Sequence, residues 1–127
     1  MVAALAVIER GGRYLICRRH PGGFLGGFWE FPGGKREPGE SWTACLRREV
    51  REELGVSVTA VTPLCRLRHR YPGRPVFLFH VFRCRIARGR PRPLASQAIR
   101  WVAPRALFRY RFPPASRPLL ARLAALD

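Results

Sequence analysis

Lysine is almost absent from this chain: Lys35 stands alone against 23 arginines, and only eight of the 127 residues are acidic, which leaves a formal charge of +16. The chain is also rich in Ala, Pro and Gly. That skew matches strongly GC-rich coding, and the arginines are spread along the sequence instead of forming a compact run. A pI near 11.6 keeps a basic nucleic-acid-binding module of weak or no catalytic power open as an alternative. The same positive field would help to draw in a small polyanion.

Other absences narrow the field further. No apolar stretch approaches the roughly 20 residues that a bilayer-spanning helix needs. The apolar opening Met1–Ile8 has no basic segment before it and meets Glu9 and Arg10, so a buried strand is expected there instead of an export signal. Cys17, Cys45, Cys65 and Cys84 contain no C-x2-C pair, which argues against zinc. Buried thiols in a reducing cytosol are expected, which places the protein in the cytoplasm. His20, His69 and His80 show no ligand spacing. No Ser- or Gly-rich linker divides the chain, so residues 1–127 are read as one domain.

Against this background the carboxylates are concentrated. Five of the eight lie between Gly34 and Val56, namely Glu37, Glu40, Glu49, Glu52 and Glu53. From Ser41 to Leu54 there is no Gly or Pro, Ser41 can cap a first turn, and Gly55 stands where a helix C′ residue belongs, so a helix is predicted. Glu52 and Glu53 follow Glu49 at i+3 and i+4, which puts the three carboxylates on one side. Leu46, Val50 and Leu54 form an adjacent apolar stripe suited to packing on a sheet. The cluster has two readings: a solvated acidic face offset by Arg47, Arg48 and Arg51, or a site for a hard divalent cation such as Mg²⁺ or Mn²⁺. The spacing, and the glycines just before it, favour the cation.

Those glycines are Gly33 and Gly34, within Trp29-Glu-Phe-Pro-Gly-Gly-Lys35. Two adjacent glycines let backbone approach a ligand closely, and Lys35 is placed to meet a phosphate. The rest of the chain reads as strands at Val2–Glu9 and Arg13–Arg19 around a Gly11-Gly12 turn, then Val56–Val61, Cys65–Tyr71, Val76–Ile86 and Ile99–Val102. A Pro72–Pro75 turn, a basic loop from Gly89 to Pro93, a helical turn at Arg105–Phe108 and a helix at Pro118–Leu126 complete it. The pattern is α/β, a mixed sheet flanked by helices.

From Gly34 to Val56 the chain fits G-x5-E-x7-R-E-U-x-E-E-x-G-U, where U is bulky and aliphatic, at every fixed position. This is the Nudix box, and the protein resembles the Nudix hydrolases. The resemblance implies an α/β/α sandwich and metal-assisted cleavage of a nucleoside diphosphate derivative at its pyrophosphate. It further implies that the Gly33 carbonyl joins Glu49, Glu52 and Glu53 around Mg²⁺ or Mn²⁺, that Glu40 supports the site, and that Arg48 holds a glutamate by ion pairing.

Weaker matches extend over nearly the whole chain. Arg18-Arg19, Trp29–Pro32, Tyr71-Pro72, Gln97 before Trp101, and Phe112–Pro118 resemble the MutT group, which hydrolyses oxidised purine nucleoside triphosphates such as 8-oxo-dGTP to the monophosphate and pyrophosphate. Phe31, Tyr71 and Leu78 are candidate walls of a base pocket, with core or rim positions the competing reading. Arg19 is a candidate contact to base or phosphate. Tyr71 and Pro72, 15 and 16 residues past the box, also fit Nudix branches that act on ADP-ribose or dinucleoside polyphosphates.

Two positions depart from the MutT pattern. Ala95 replaces a glutamate two residues before Gln97, which moves the expected general base to Glu49 or Glu52. Ser116 stands where the group has Asn, and a hydroxyl lacks the planar two-point face an amide offers a purine edge.

Overall fold

The computed structural model describes residues 1–126, so Asp127 lies outside the described residues. The box helix α1 spans Trp42–Leu54. Its start is fixed by Ser41, whose side-chain oxygen accepts the Ala44 N–H at 3.1 Å, a cap of about 1 kcal/mol. Its end is fixed by Gly55, which turns left-handed at φ 73° and donates its N–H to the Arg51 carbonyl. Leu46, Val50 and Leu54 are fully buried, each contributing roughly 1.5–3 kcal/mol of apolar transfer. The basic loop after Gly89 completes this end: Arg92 and Leu94 donate backbone N–H groups to the Leu54 and Glu53 carbonyls, at 3.0 and 3.1 Å. Carbonyls that a helix C-terminus leaves without partners are thereby satisfied.

The strands are β1 (Val2–Arg10), β2 (Arg13–Arg18), β3 (Trp29–Glu30), β4 (Gly33–Lys35), β5 (Ser57–Arg70), β6 (Val76–Arg88) and β7 (Ala98–Val102). Their main order is β3-β2-β1-β6-β5, with β4 paired to β1 and β7 to β2. β1 and β6 run parallel and the other pairs antiparallel, so the sheet is mixed. One core joins Ala4, Ala6, Ile8, Val58 and Phe82 to the inner face of α1. A second, on the other face, joins Val7, Ile16, Val81 and Val102 to Leu119, Leu120 and Leu123 of α2 (Arg117–Ala125). Helix, sheet and helix thus form the expected three-layer α/β sandwich.

Three expectations need correction. β5 is one strand where two were predicted: Pro63, which cannot donate to a ladder, sits on the sheet edge among register shifts that let the strand continue around it. Leu126 follows α2 and is 53% exposed, unlike Leu119, Leu120 and Leu123. Cys17, Cys45 and Cys84 are buried free thiols, whereas Cys65 is only partly covered.

Candidate active site

Arg48 organises the polar face of α1. Its Nε donates to Glu40 Oε2 at 2.6 Å and its Nη2 to Glu40 Oε1 at 3.0 Å, a two-point grip across the loop that precedes the helix. Nη1 donates to Glu49 Oε1 at 2.8 Å and more weakly to Glu52 Oε2 at 3.4 Å, while Nη2 also reaches the Lys35 carbonyl at 3.1 Å. One guanidinium therefore ties the loop, β4 and two box glutamates together. The hydrogen bonds from Arg48, followed by the Glu37 backbone N–H, lower the Glu40 carboxyl to about 2. The same bond to Glu40, aided by Glu49, raises Arg48 above its ordinary range.

The three box glutamates occupy different surroundings. Glu49 is clamped by Arg48 and pressed against β4: a Cβ on Gly34 would lie 2.5 Å from the Glu49 carboxylate. Glu53 is set deeper, its Oε1 3.4 Å from the Gly33 amide. Burial, then a hydrogen bond with Glu49, pushes the Glu53 carboxyl up to about 9. Glu52 points outward with its side chain 59% exposed. Gly33 itself has φ 149°, and a side chain there would collide with the Ala4 carbonyl. Only glycine lets β4 lie so close to both β1 and the helix.

The expected set of three or four carboxylates is thus divided. Glu49 and Glu53 come together beside β4, whereas Glu40 is held across the loop by Arg48 and Glu52 faces outward, and among the described residues no three His, Cys, Asp or Glu side chains form a ready cation cluster. The donor chemistry nevertheless fits a hard cation. Two neighbouring carboxylates meet backbone oxygen-bearing β4, and Glu53 forms no ion pair with a described cation, so a divalent ion would offset the burial, and the lesser effect of Glu49, that raise its proton affinity.

Next to this cluster opens a cleft of about 410 Å³. Gly33, Gly34 and Lys35 form the edge it shares with the carboxylates, and Arg19, Phe31, Tyr71 and Ser116 are among the residues that line it. Arg19 pairs with Glu30 at 3.1 Å, and burial raises the Glu30 carboxyl while Arg19 partly offsets it. The Tyr71 hydroxyl accepts the Ala115 N–H at 3.1 Å, which fixes the Pro113–Ser116 wall. Phe31 is buried beneath the cleft against Phe112, 5.4 Å between ring centres.

Leu78 is not part of it. It lies 44% exposed on the opposite face of β6, and its neighbours Phe77 and Phe79 line the cleft in its place, because successive strand residues alternate faces. Phe24 was also missed. It meets Tyr71 edge-on at 5.2 Å and stacks with Phe77 at 6.4 Å, with the Arg74 guanidinium 3.6 Å above its ring. The available signal was an aromatic residue inside the glycine-rich segment Pro21–Gly27.

Residues 3–122 match the family model of the NUDIX domain. The chain is a Nudix hydrolase. Its relatives include the CTP pyrophosphohydrolase of Escherichia coli, 36% identical over 121 residues that cover 95% of this chain and 89% of that protein. An 8-oxo-dGTP diphosphatase of Haemophilus influenzae is 32% identical over 123 residues, 96% and 89% of the two chains. The crystal structure of a MutT NUDIX hydrolase from Burkholderia pseudomallei superposes with a TM-score of 0.86 at 29% identity, covering 94% of this chain and 95% of that one. The protein belongs to the MutT-like branch of the Nudix hydrolases, enzymes of phosphoric anhydride bonds that depend on a divalent metal. No helix among its described residues is long and apolar enough to cross a membrane.

Proposed function

We propose that this Nudix hydrolase is a cytoplasmic nucleoside triphosphate pyrophosphohydrolase that uses Mg²⁺ or Mn²⁺ and releases a nucleoside monophosphate and pyrophosphate, with oxidised purine nucleotides such as 8-oxo-dGTP as its substrates. The carrying observation is the shared edge: Gly33, Gly34 and Lys35 border both the Glu49–Glu53 pair and the aromatic cleft. A base lying among Phe24, Tyr71 and Phe77 would direct its phosphates along that edge toward the carboxylates.

In this reading Glu49, Glu53 and the Gly33 carbonyl hold the cation, and Glu40 acts through Arg48. When bound, the cation supplies charge neutralisation at the phosphoryl oxygens and acidifies the attacking water. Glu52 is the better of the two candidate bases, since it is exposed and weakly tethered while Glu49 is clamped. Lys35 and Arg19 bind phosphate or base. Ser116 offers a single hydroxyl to the base edge in place of an amide.

That last feature favours a second reading, a pyrimidine triphosphate as substrate, in keeping with the E. coli relative named CTP pyrophosphohydrolase. The test is a panel of 8-oxo-dGTP, the ordinary (d)NTPs including CTP, ADP-ribose and dinucleoside polyphosphates, assayed with Mg²⁺ and with Mn²⁺. Pyrophosphate released from 8-oxo-dGTP with the highest kcat/KM supports the first reading, and from CTP the second. Turnover confined to ADP-ribose or a dinucleoside polyphosphate would overturn both.

A further inference from the structure

Helix α1 does not cover the whole of its face of the sheet. It begins at Trp42, whose ring meets His80 edge-on at 5.1 Å. Beyond that point β5 and β6 continue uncovered, leaving a hollow of about 270 Å³ lined by Trp42, Leu78, His80, Arg66 and Arg68 among others. Arg36 lies 4.6 Å over the Trp42 ring. The buried His80 Nδ1 has no hydrogen-bond partner. Nothing in the proposed hydrolysis uses this surface.

Its charge is arranged in a line. Arg66, Arg68 and Arg70 alternate along β5 opposite His80, Leu78 and Val76 in regular register, and all three arginines are exposed. Residues two apart on a strand are roughly 6.6–6.8 Å apart, close to the step between phosphates of a stretched single strand. The described carboxylates lie elsewhere: Glu9 pairs with Arg83 and Arg85, Glu30 with Arg19, and Glu37, Glu40, Glu49 and Glu52 with Arg48, while Glu53 accepts from the Gly33 amide. No described carboxylate pairs with the row on β5.

We infer that this face binds single-stranded nucleic acid, with successive phosphates on Arg66, Arg68 and Arg70 and a base in the hollow against Trp42 and His80. A cationic track beside an aromatic platform is the usual means of holding single strands without sequence preference. The overall arginine excess does not single out this face, but the alternation on an edge strand and the adjoining aromatic hollow do. A free nucleotide shares the same chemistry, yet a row of three cations running along a strand is longer than one nucleotide requires.

The test is fluorescence anisotropy of a labelled dT15 oligonucleotide with the full chain in EDTA, which keeps hydrolysis silent. The wild type should bind with a Kd of about 100 µM or tighter at physiological salt, with a salt slope of about −2 for three phosphate contacts. Arg66→Glu/Arg68→Glu should weaken binding by about tenfold or more, flatten the slope, and leave Mg²⁺-dependent nucleotide hydrolysis unchanged. The charge-matched Arg88→Glu/Arg90→Glu protein, altered at the far end of β6 and in the loop just after it, should bind like wild type. Equal loss in both variants would reduce the effect to net charge and overturn the site. So would absence of binding, complete displacement by stoichiometric free dTTP, or binding to phosphatidylserine vesicles without binding to the oligonucleotide.

Discussion

Arg48 grips Glu40 with two nitrogens, at 2.6 and 3.0 Å, and so joins the loop that enters the helix to the helix's own glutamate-bearing face. The grip leaves Nη1 for Glu49 at 2.8 Å, which fixes one carboxylate, while the exposed Glu52 is reached only at 3.4 Å. A planar fork is needed for this, and a lysine carries the charge without the geometry.

Arg48→Lys should therefore fold normally, with circular dichroism unchanged, while kcat/KM falls by about 10- to 100-fold, the range seen when groups that orient metal ligands are removed. The Mg²⁺ concentration for half-maximal rate should rise as well. Unchanged metal dependence and rate would show that the fork is only structural.

The two glycines of β4 should fail in different ways. In Gly34→Ala the new methyl meets the flexible end of Glu49, so the side chain moves aside. The Tm should shift little while activity drops by about 100-fold, a loss typical of misplaced catalytic groups. In Gly33→Ala the methyl meets Ala4 backbone at a φ that disfavours side chains, and the protein should lose stability outright. Thermal melts and a rate assay on both proteins decide the matter.

Phe24→Ala removes a ring that packs on Tyr71 and Phe77. Base stacking is worth about 1–3 kcal/mol, so KM for the preferred nucleotide should rise roughly 5- to 150-fold with kcat little changed. A fall in kcat at constant KM would place the base elsewhere.

Burial, the dominant influence, raises the Cys84 thiol from 9.0 to about 12, with Arg47 pulling slightly the other way. The folded state then holds this proton more tightly than the unfolded one. The resulting stability is complete below pH 9 and is lost as pH rises from 9 towards 12, by up to about 1.4 kcal/mol per pH unit. Urea midpoints at pH 8 and pH 10.5 should converge for Cys84→Ala relative to wild type; identical pH slopes would contradict this.

Much of the box helix was readable in the chain, because its logic is local. Carboxylates at i, i+3 and i+4 share a side of any helix, and Ser41 and Gly55 mark its ends whatever lies around it. The flanking hairpin and the Leu119–Leu123 stripe were legible for the same reason. What could not be read depends on contacts between distant segments. Whether Leu78 or Phe77 and Phe79 face the cleft is set by the pairing of β6 with β1 and β5, and in a strand a shift of one residue exchanges the two faces. The gap expected between Val61 and Cys65 closes because Pro63 sits on an edge strand among register shifts. Phe24 enters the cleft because a glycine-rich loop folds back over Tyr71, and Glu40 finds Arg48 because β4 and the loop after it are laid against α1. Local periodicity specified the box helix and the shared side of its glutamates, whereas long-range register and loop docking chose which side chains line the cleft beside it.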